Sequence, residues 1–152
     1  MLLLNVFLGL LFQANLPTGP IPKVIVGLLN GQQFVIENPE FSGFIKGRDA
    51  DAVLTYRLEK AHGQMPTNTI ARIDFGRYKQ GKPFLLIVTL RNGQQVVVQS
   101  ERYAFVTVSG KTDAGSILIK HPDPVSSPVK LTTKKPNRKR DLTIQYLEFP
   151  AA

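Results

Sequence analysis

The chain has 152 residues, an apolar fraction of 43% with nine Phe, four Tyr and no Trp, and a formal net charge of +8. That is enough apolar material for a core and too much for a disordered chain, and the length fits one ordinary domain or two very small ones that must lean on each other. The absence of cysteine excludes disulfides, thiolate metal sites and cysteine nucleophiles together, so stability has to come from packing and strand pairing.

Residues 1–12 read MLLLNVFLGLLF, far short of the roughly 20 residues a spanning helix needs but matching the apolar region of a signal peptide. The polar stretch QANLPTGP follows, with Ala14 before a cleavage point and Pro17 and Pro20 opening the mature chain. Residues 1–15 are therefore expected to be a signal peptide and the protein to be secreted, periplasmic or in the cell envelope. No Lys or Arg precedes the apolar run, and Phe12 stands where a small residue is usual, so the competing expectation is a segment packed into the folded domain.

An internal repeat comes next. LNGQQFVI at 29–36 and RNGQQVVV at 91–98 each follow a β-rich run, KVIVGL or FLLIVTL. Asn-Gly between two such runs predicts hairpins with type I′ turns at Asn30-Gly31 and Asn92-Gly93. The correspondence continues in order. Phe41 matches Tyr103, Gly47-Arg48 matches Gly110-Lys111, LTYR at 54–57 matches ILIK at 117–120, and TIARIDF at 69–75 matches TIQYLEF at 143–149. Each unit reads as about five strands. The best helical candidate, TYRLEKAHG, stops at Gly63 and Pro66 after barely two turns.

The expected fold is all-β: two tandem copies of a roughly five-stranded small barrel or sandwich-like unit, packed together. The first unit spans 21–76, a polar connector 77–83 and the second unit 84–149. The second unit carries a basic, Pro-rich insertion at 121–140, HPDPVSSPVKLTTKKPNRKR, whose four prolines favour an extended excursion over regular structure.

Within that insertion Lys134, Lys135, Arg138, Lys139 and Arg140 place five cations in seven residues. Charges this dense repel and stay solvated unless an anion neutralises them, so the strip is either a solvated loop or a docking site for phosphates, sulfated glycans or an anionic surface. His62 and His121 lie in turn-like contexts, AHGQMP and KHPDP, where a surface imidazole is expected. Asp49 and Asp51 are too few for a Ca²⁺ loop. Asp74 and Glu148 each precede a Phe at the end of an alternating strand, which turns the acid to solvent and the neighbours to the core. No nucleophile elbow, phosphate-binding loop, dinucleotide fingerprint or zincin motif occurs, so neither an enzyme nor a cofactor is expected.

The hairpin and closing-strand segments, KVIVGLLNGQQF with TIARIDF and FLLIVTLRNGQQV with TIQYLEF, are similar in layout to Sm-like and SH3-like small barrels. The resemblance implies a small-barrel fold and lends slight weight to nucleic-acid binding. The leading expectation is an exported, non-enzymatic structural or binding module whose partner is an acidic glycan, an anionic surface or an envelope protein. The alternative is a polyanion or nucleic-acid-binding barrel that uses the basic loop and retains its N-terminus. A third expectation, a hydrolase with a dispersed site, would require a pocket gathering acid, His or Ser side chains from both units.

Overall fold

The computed structural model describes residues 22–76, 83–101, 105–121 and 143–151. The described chain is all-β. Its strands are β1 (Lys23–Leu28), β2 (Gln33–Gly43), β3 (Ile45–Arg48), β4 (Val53–Leu58), β5 (Ala61–Pro66), β6 (Ile70–Phe75), β7 (Leu85–Leu90), β8 (Gln95–Ser100), β9 (Val106–Thr112), β10 (Gly115–His121) and β11 (Ile144–Glu148). Two single 3-10 turns, Asp49–Asp51 and Thr67–Thr69, interrupt the first half.

The strands close into one antiparallel barrel of eight, in the order β1-β11-β6-β7-β8-β4-β3-β2 and back to β1. β5 adds to β4 outside this circuit, and the β9–β10 hairpin adds to β2. The first half supplies six strands and the second five. The two halves do not close separately: β1 pairs with β11, β6 with β7 and β11, β4 with β8, and β2 with β9.

Period-two alternation, broken by register shifts at Gly27/Leu28 and Ile70/Arg72 that turn both Ile144 and Leu147 and both Ile70 and Ile73 inward, explains which residues fill the barrel. Val24, Val26 and Leu28 of β1, Leu86 and Val88 of β7, Val98 of β8, and Ile144 and Leu147 of β11 are buried, together with Ile36, Leu54, Ile70 and Ile73. An eight-stranded barrel is just wide enough for side chains to fill it, and these branched aliphatics do so. The stretch TYRLEKAHG is a hairpin: Tyr56 lies opposite Gly63 and Leu58 opposite Ala61, with Glu59-Lys60 at the tip.

The Asn-Gly hairpins form where the sequence places them, but with a different turn. The Leu28 amide donates to the Gln32 carbonyl (2.8 Å) and the Gly31 amide to the Leu28 carbonyl (3.0 Å). At the second hairpin the Leu90 amide donates to Gln94 (2.8 Å) and the Gly93 amide to Leu90 (2.9 Å). Gly31 and Gly93 have φ of +90° and +88°, whereas Asn30 and Asn92 are not left-handed. Each loop therefore has three residues, a turn followed by a left-handed glycine, in place of the two-residue type I′ turn, which needs positive φ at both central residues. The asparagines serve through their side chains: Asn30 Oδ1 accepts from the Gln32 amide (2.8 Å) and Asn92 Oδ1 from the Gln94 amide (2.9 Å). A Cβ at either glycine would meet open space, so only the backbone conformation is at stake. Gly31→Ala and Gly93→Ala should each cost about 1 kcal/mol in urea unfolding, and the double variant their sum, because the loops share no partner.

β2 builds two walls. Its first part pairs with β1 as far as Lys23↔Glu37, and its second pairs with β3 through Glu40↔Arg48 and Phe41↔Gly47. Between them the ladder slips at Glu37/Glu40, where Asn38 is left-handed (φ 49°), the kind of bulge that bends a strand. On the barrel's outer wall Tyr146 covers Gly27, stacks against the Arg72 guanidinium 3.9 Å from its ring centre, and receives a hydrogen bond from Gln33 Nε2.

Candidate functional site

The protein's charge is divided unevenly along the chain. The described residues hold nine Lys and Arg against nine Asp and Glu, so the barrel is formally neutral. The excess of +8 resides in three segments, 77–82, 102–104 and 122–142. The strip Lys134, Lys135, Arg138, Lys139 and Arg140 belongs to the third and lies outside the described residues, as do residues 1–15, nearly all of the 77–83 connector and Tyr103.

All three segments join the barrel at one place. The Gly76 amide donates to the Leu85 carbonyl (2.6 Å), which fixes both ends of segment 77–82 side by side. Segment 102–104 leaves just after Ser100, whose amide donates to the Phe84 carbonyl (2.9 Å), and its far end is held where the Phe105 carbonyl accepts from Phe44 (2.9 Å). Segment 122–142 leaves at His121, whose ring lies 4.7 Å from that of Phe84, and returns beside Ile144, whose amide donates to His121 Nδ1 (3.2 Å). The described residues that flank the three segments thus lie together at one end of a neutral barrel.

The anchor of this basic end is an aromatic cluster. Phe44, Phe75 and Phe84 meet at ring separations of 5.8 to 6.4 Å, and His121 completes the group, edge-on to Phe75 at 5.0 Å. His121 is only 1% exposed, contrary to the surface position its KHPDP context suggested. As the last inward-facing position of β10, it follows Ile117 and Ile119 into the core. Nδ1 accepts from Ile144, so the proton of the neutral ring sits on Nε2, which is buried with no partner among the described residues. Desolvation pushes its pKa down from 6.5 to about 4. The imidazole is a neutral core group near neutral pH.

At the opposite end, beside the tip of the β7–β8 hairpin, lies a cavity of about 220 Å³. Pro22, Pro39, Phe149 and Pro150 give it apolar walls, and Lys23, Asp49, Thr67, Asn68 and Arg91 its polar groups. The two 3-10 turns build it: Thr67 donates from its amide (2.9 Å) and hydroxyl (3.0 Å) to the Ala52 carbonyl, which clamps Thr67–Thr69 onto Asp49–Asp51. Arg91 is held by two carbonyls, Nε to Asn68 (2.7 Å) and Nη1 to Phe149 (3.1 Å).

The other residues singled out in the sequence do not gather into a site. His62 is exposed and pairs with Glu101 at 3.0 Å. Asp74 pairs with Arg72 at 3.0 Å on the outer wall, and the β6–β11 register sets Glu148 opposite Arg72, with Asp74 opposite Tyr146. Asp49 and Asp51 share one turn, and no group of three metal-capable side chains occurs among the described residues. None of the helical segments described is long and apolar enough to cross a membrane. Sequence reasoning missed the cavity because its walls come from six separate stretches of chain. The one local signal, Asp49 at the head of a 3-10 turn, becomes informative only once Arg91 and Lys23 stand beside it. Compared with models of protein families, with curated proteins and with solved structures, the chain matches none.

Proposed function

We propose that the protein is an exported, non-enzymatic binding module, a β-barrel that docks an acidic glycan or a similarly anionic surface of the cell envelope through its basic end. The segregation of charge carries this reading: a neutral barrel with its whole excess of +8 in three segments that leave one end. A cation cluster on one pole orients the molecule toward a polyanion and speeds encounter, and leaves the rest of the surface free. The densest run of these cations in the sequence is at 134–140.

Binding of the full chain to heparin at rising salt tests the reading. Affinity should fall steeply as salt rises from 50 to 200 mM, in the manner of about five or more released counterions. Neutralising Lys134, Lys135, Arg138, Lys139 and Arg140 to Gln together should weaken binding at least tenfold and flatten the salt dependence. Heparin affinity unchanged in that variant would count against the basic end, and tighter binding to DNA than to heparin would move the partner class to nucleic acid. Intact mass of the mature protein checks export, since a chain that keeps Met1 removes that part of the reading.

The barrel is also read as the product of two tandem units. Exchanging β1 with β7, β2 with β8 and β6 with β11 maps the β1–β2, β7–β8, β1–β11, β6–β7 and β6–β11 pairings onto one another. The two hairpins share the same loop length, bonding and Asn-Gly chemistry, which supports a duplicated origin.

A further inference from the structure

The geometry points to a second site, at the end of the barrel opposite the basic one: the cavity between the two 3-10 turns and β1 binds a small zwitterion of the α-amino-acid class. Asp49 receives its ammonium group, Lys23 and Arg91 its carboxylate, and the Pro22–Pro39–Phe149 wall an apolar side chain.

Three charged side chains line one small cavity, yet none of them neutralises another. Among the described residues Asp49 is in no ion pair, and its Oδ1 is shielded from solvent without any hydrogen-bond donor. The other carboxylate oxygen, Oδ2, is not shut off from solvent and has no partner among the described residues, so it is the atom a ligand donor can reach. Asp49 is also one of three non-glycine residues with positive φ (50°) among the described residues, a conformation that sets the direction of its side chain. Asp is among the few residue types that tolerate this, and such positions concentrate where a scaffold must aim a group. The Ala52 amide closes back on the Asp49 carbonyl, and Thr67 clamps Ala52, so the turn is held from two sides.

Arg91 presents the opposite charge in an equally fixed way. Two of its five N–H groups hold the Asn68 and Phe149 carbonyls, which orients the guanidinium and leaves the others for a carboxylate. Lys23 lines the same cavity and makes no ion pair among the described residues. One unsatisfied anion, two unpaired cations and an apolar wall within about 220 Å³ are complementary to a ligand that carries both charges and a short apolar group. A carboxylic acid alone would leave Asp49 unsatisfied, and an amine alone would face two cations.

Isothermal titration of the full chain with L-alanine, L-proline and L-leucine tests this, with N-acetyl-L-leucine and L-leucinamide as probes that each lack one charge. At least one free amino acid should bind with a Kd of millimolar or tighter. Both blocked probes should bind at least tenfold more weakly than L-leucine. Asp49→Asn, which keeps the shape and the tolerance for positive φ, should lose tenfold or more for the free amino acids, and Lys23→Gln several-fold, while the far-UV circular dichroism and urea midpoint of both variants stay those of the wild type and report an intact fold. Binding of none of the three amino acids overturns the assignment. So does N-acetyl-L-leucine binding as tightly as L-leucine, or Asp49→Asn binding the amino acids as well as the wild type.

Discussion

Gly43→Ala should cost more than about 4 kcal/mol or leave the chain unfolded, the largest effect of any single methyl addition in this barrel. Gly43 closes β2 with φ +103°, a region of backbone space that only glycine enters easily. A Cβ there would run into the Phe105 carbonyl, which is main chain and has no rotamer in which to retreat. The contact cannot be loosened cheaply, because the same carbonyl accepts the Phe44 amide (2.9 Å) and Gly43 is paired with Val106. Shifting it would pull β9 from β2 and unseat Val106 and Val108, both fully buried. Circular dichroism with urea titration, run beside Gly31→Ala, separates the two kinds of glycine: the hairpin variant loses about 1 kcal/mol and the corner variant its fold. A Gly43→Ala protein within 1 kcal/mol of wild type would mean that β9 does not pass Gly43 at this distance.

The second large effect is on acid stability. Folded His121 titrates near 4 and an unfolded histidine near 6.5, because burial among Phe75 and Phe84 penalises the charged ring. Above pH 6.5 neither state holds the proton and the barrel has its full stability from this group. Between 6.5 and 4 the unfolded chain binds a proton that the folded one refuses, so stability falls with pH, by about 3 kcal/mol in all, and then levels off. His121→Gln keeps a neutral hydrogen-bond acceptor for Ile144 but does not titrate. Urea unfolding at pH 7.5, 5.5 and 4 should show a drop in the wild type that the variant lacks, whatever the variant's stability at neutral pH. Parallel pH dependences for the two proteins would mean that the imidazole is not held neutral in the core.

What was legible in the sequence is what short-range patterning encodes. Both Asn-Gly hairpins, the strand character of KVIVGL, FLLIVTL, TIARIDF and TIQYLEF, and the all-β class follow from alternation and turn chemistry. The turn type was not legible, because Asn-Gly suits both a two-residue loop and the last two positions of a three-residue one. The choice between them rests on whether Leu28 bonds across to Gln32. His121 was misread for a related reason: KHPDP carries a local turn signal, while the rings that bury the imidazole arrive from β6 and from the start of β7. The cavity and the aromatic end are assembled across the two halves, and no window of sequence contains either. The five cations of 134–140 were plain in the sequence. That the excess charge leaves a neutral barrel from a single end depends on which strand ends lie together.

The seam between β1 and β11 has a consequence for the order of events in folding. The first and the last strands of the described chain are neighbours, and β11 also separates β1 from β6. A growing polypeptide therefore cannot complete the circuit until residue 148 has been made. Until then Val26 and Ile73 lack the Leu147 strand that lies between them. Pairings of such long sequence separation slow folding to milliseconds or longer. The chain should thus spend the whole of its synthesis as an open curl of hairpins, competent for threading or for capture by a chaperone, and become a closed object only in its final step. A truncation that removes β11 should leave not a slightly weakened barrel but a soluble or aggregating precursor with the β1 and β6 edges bare.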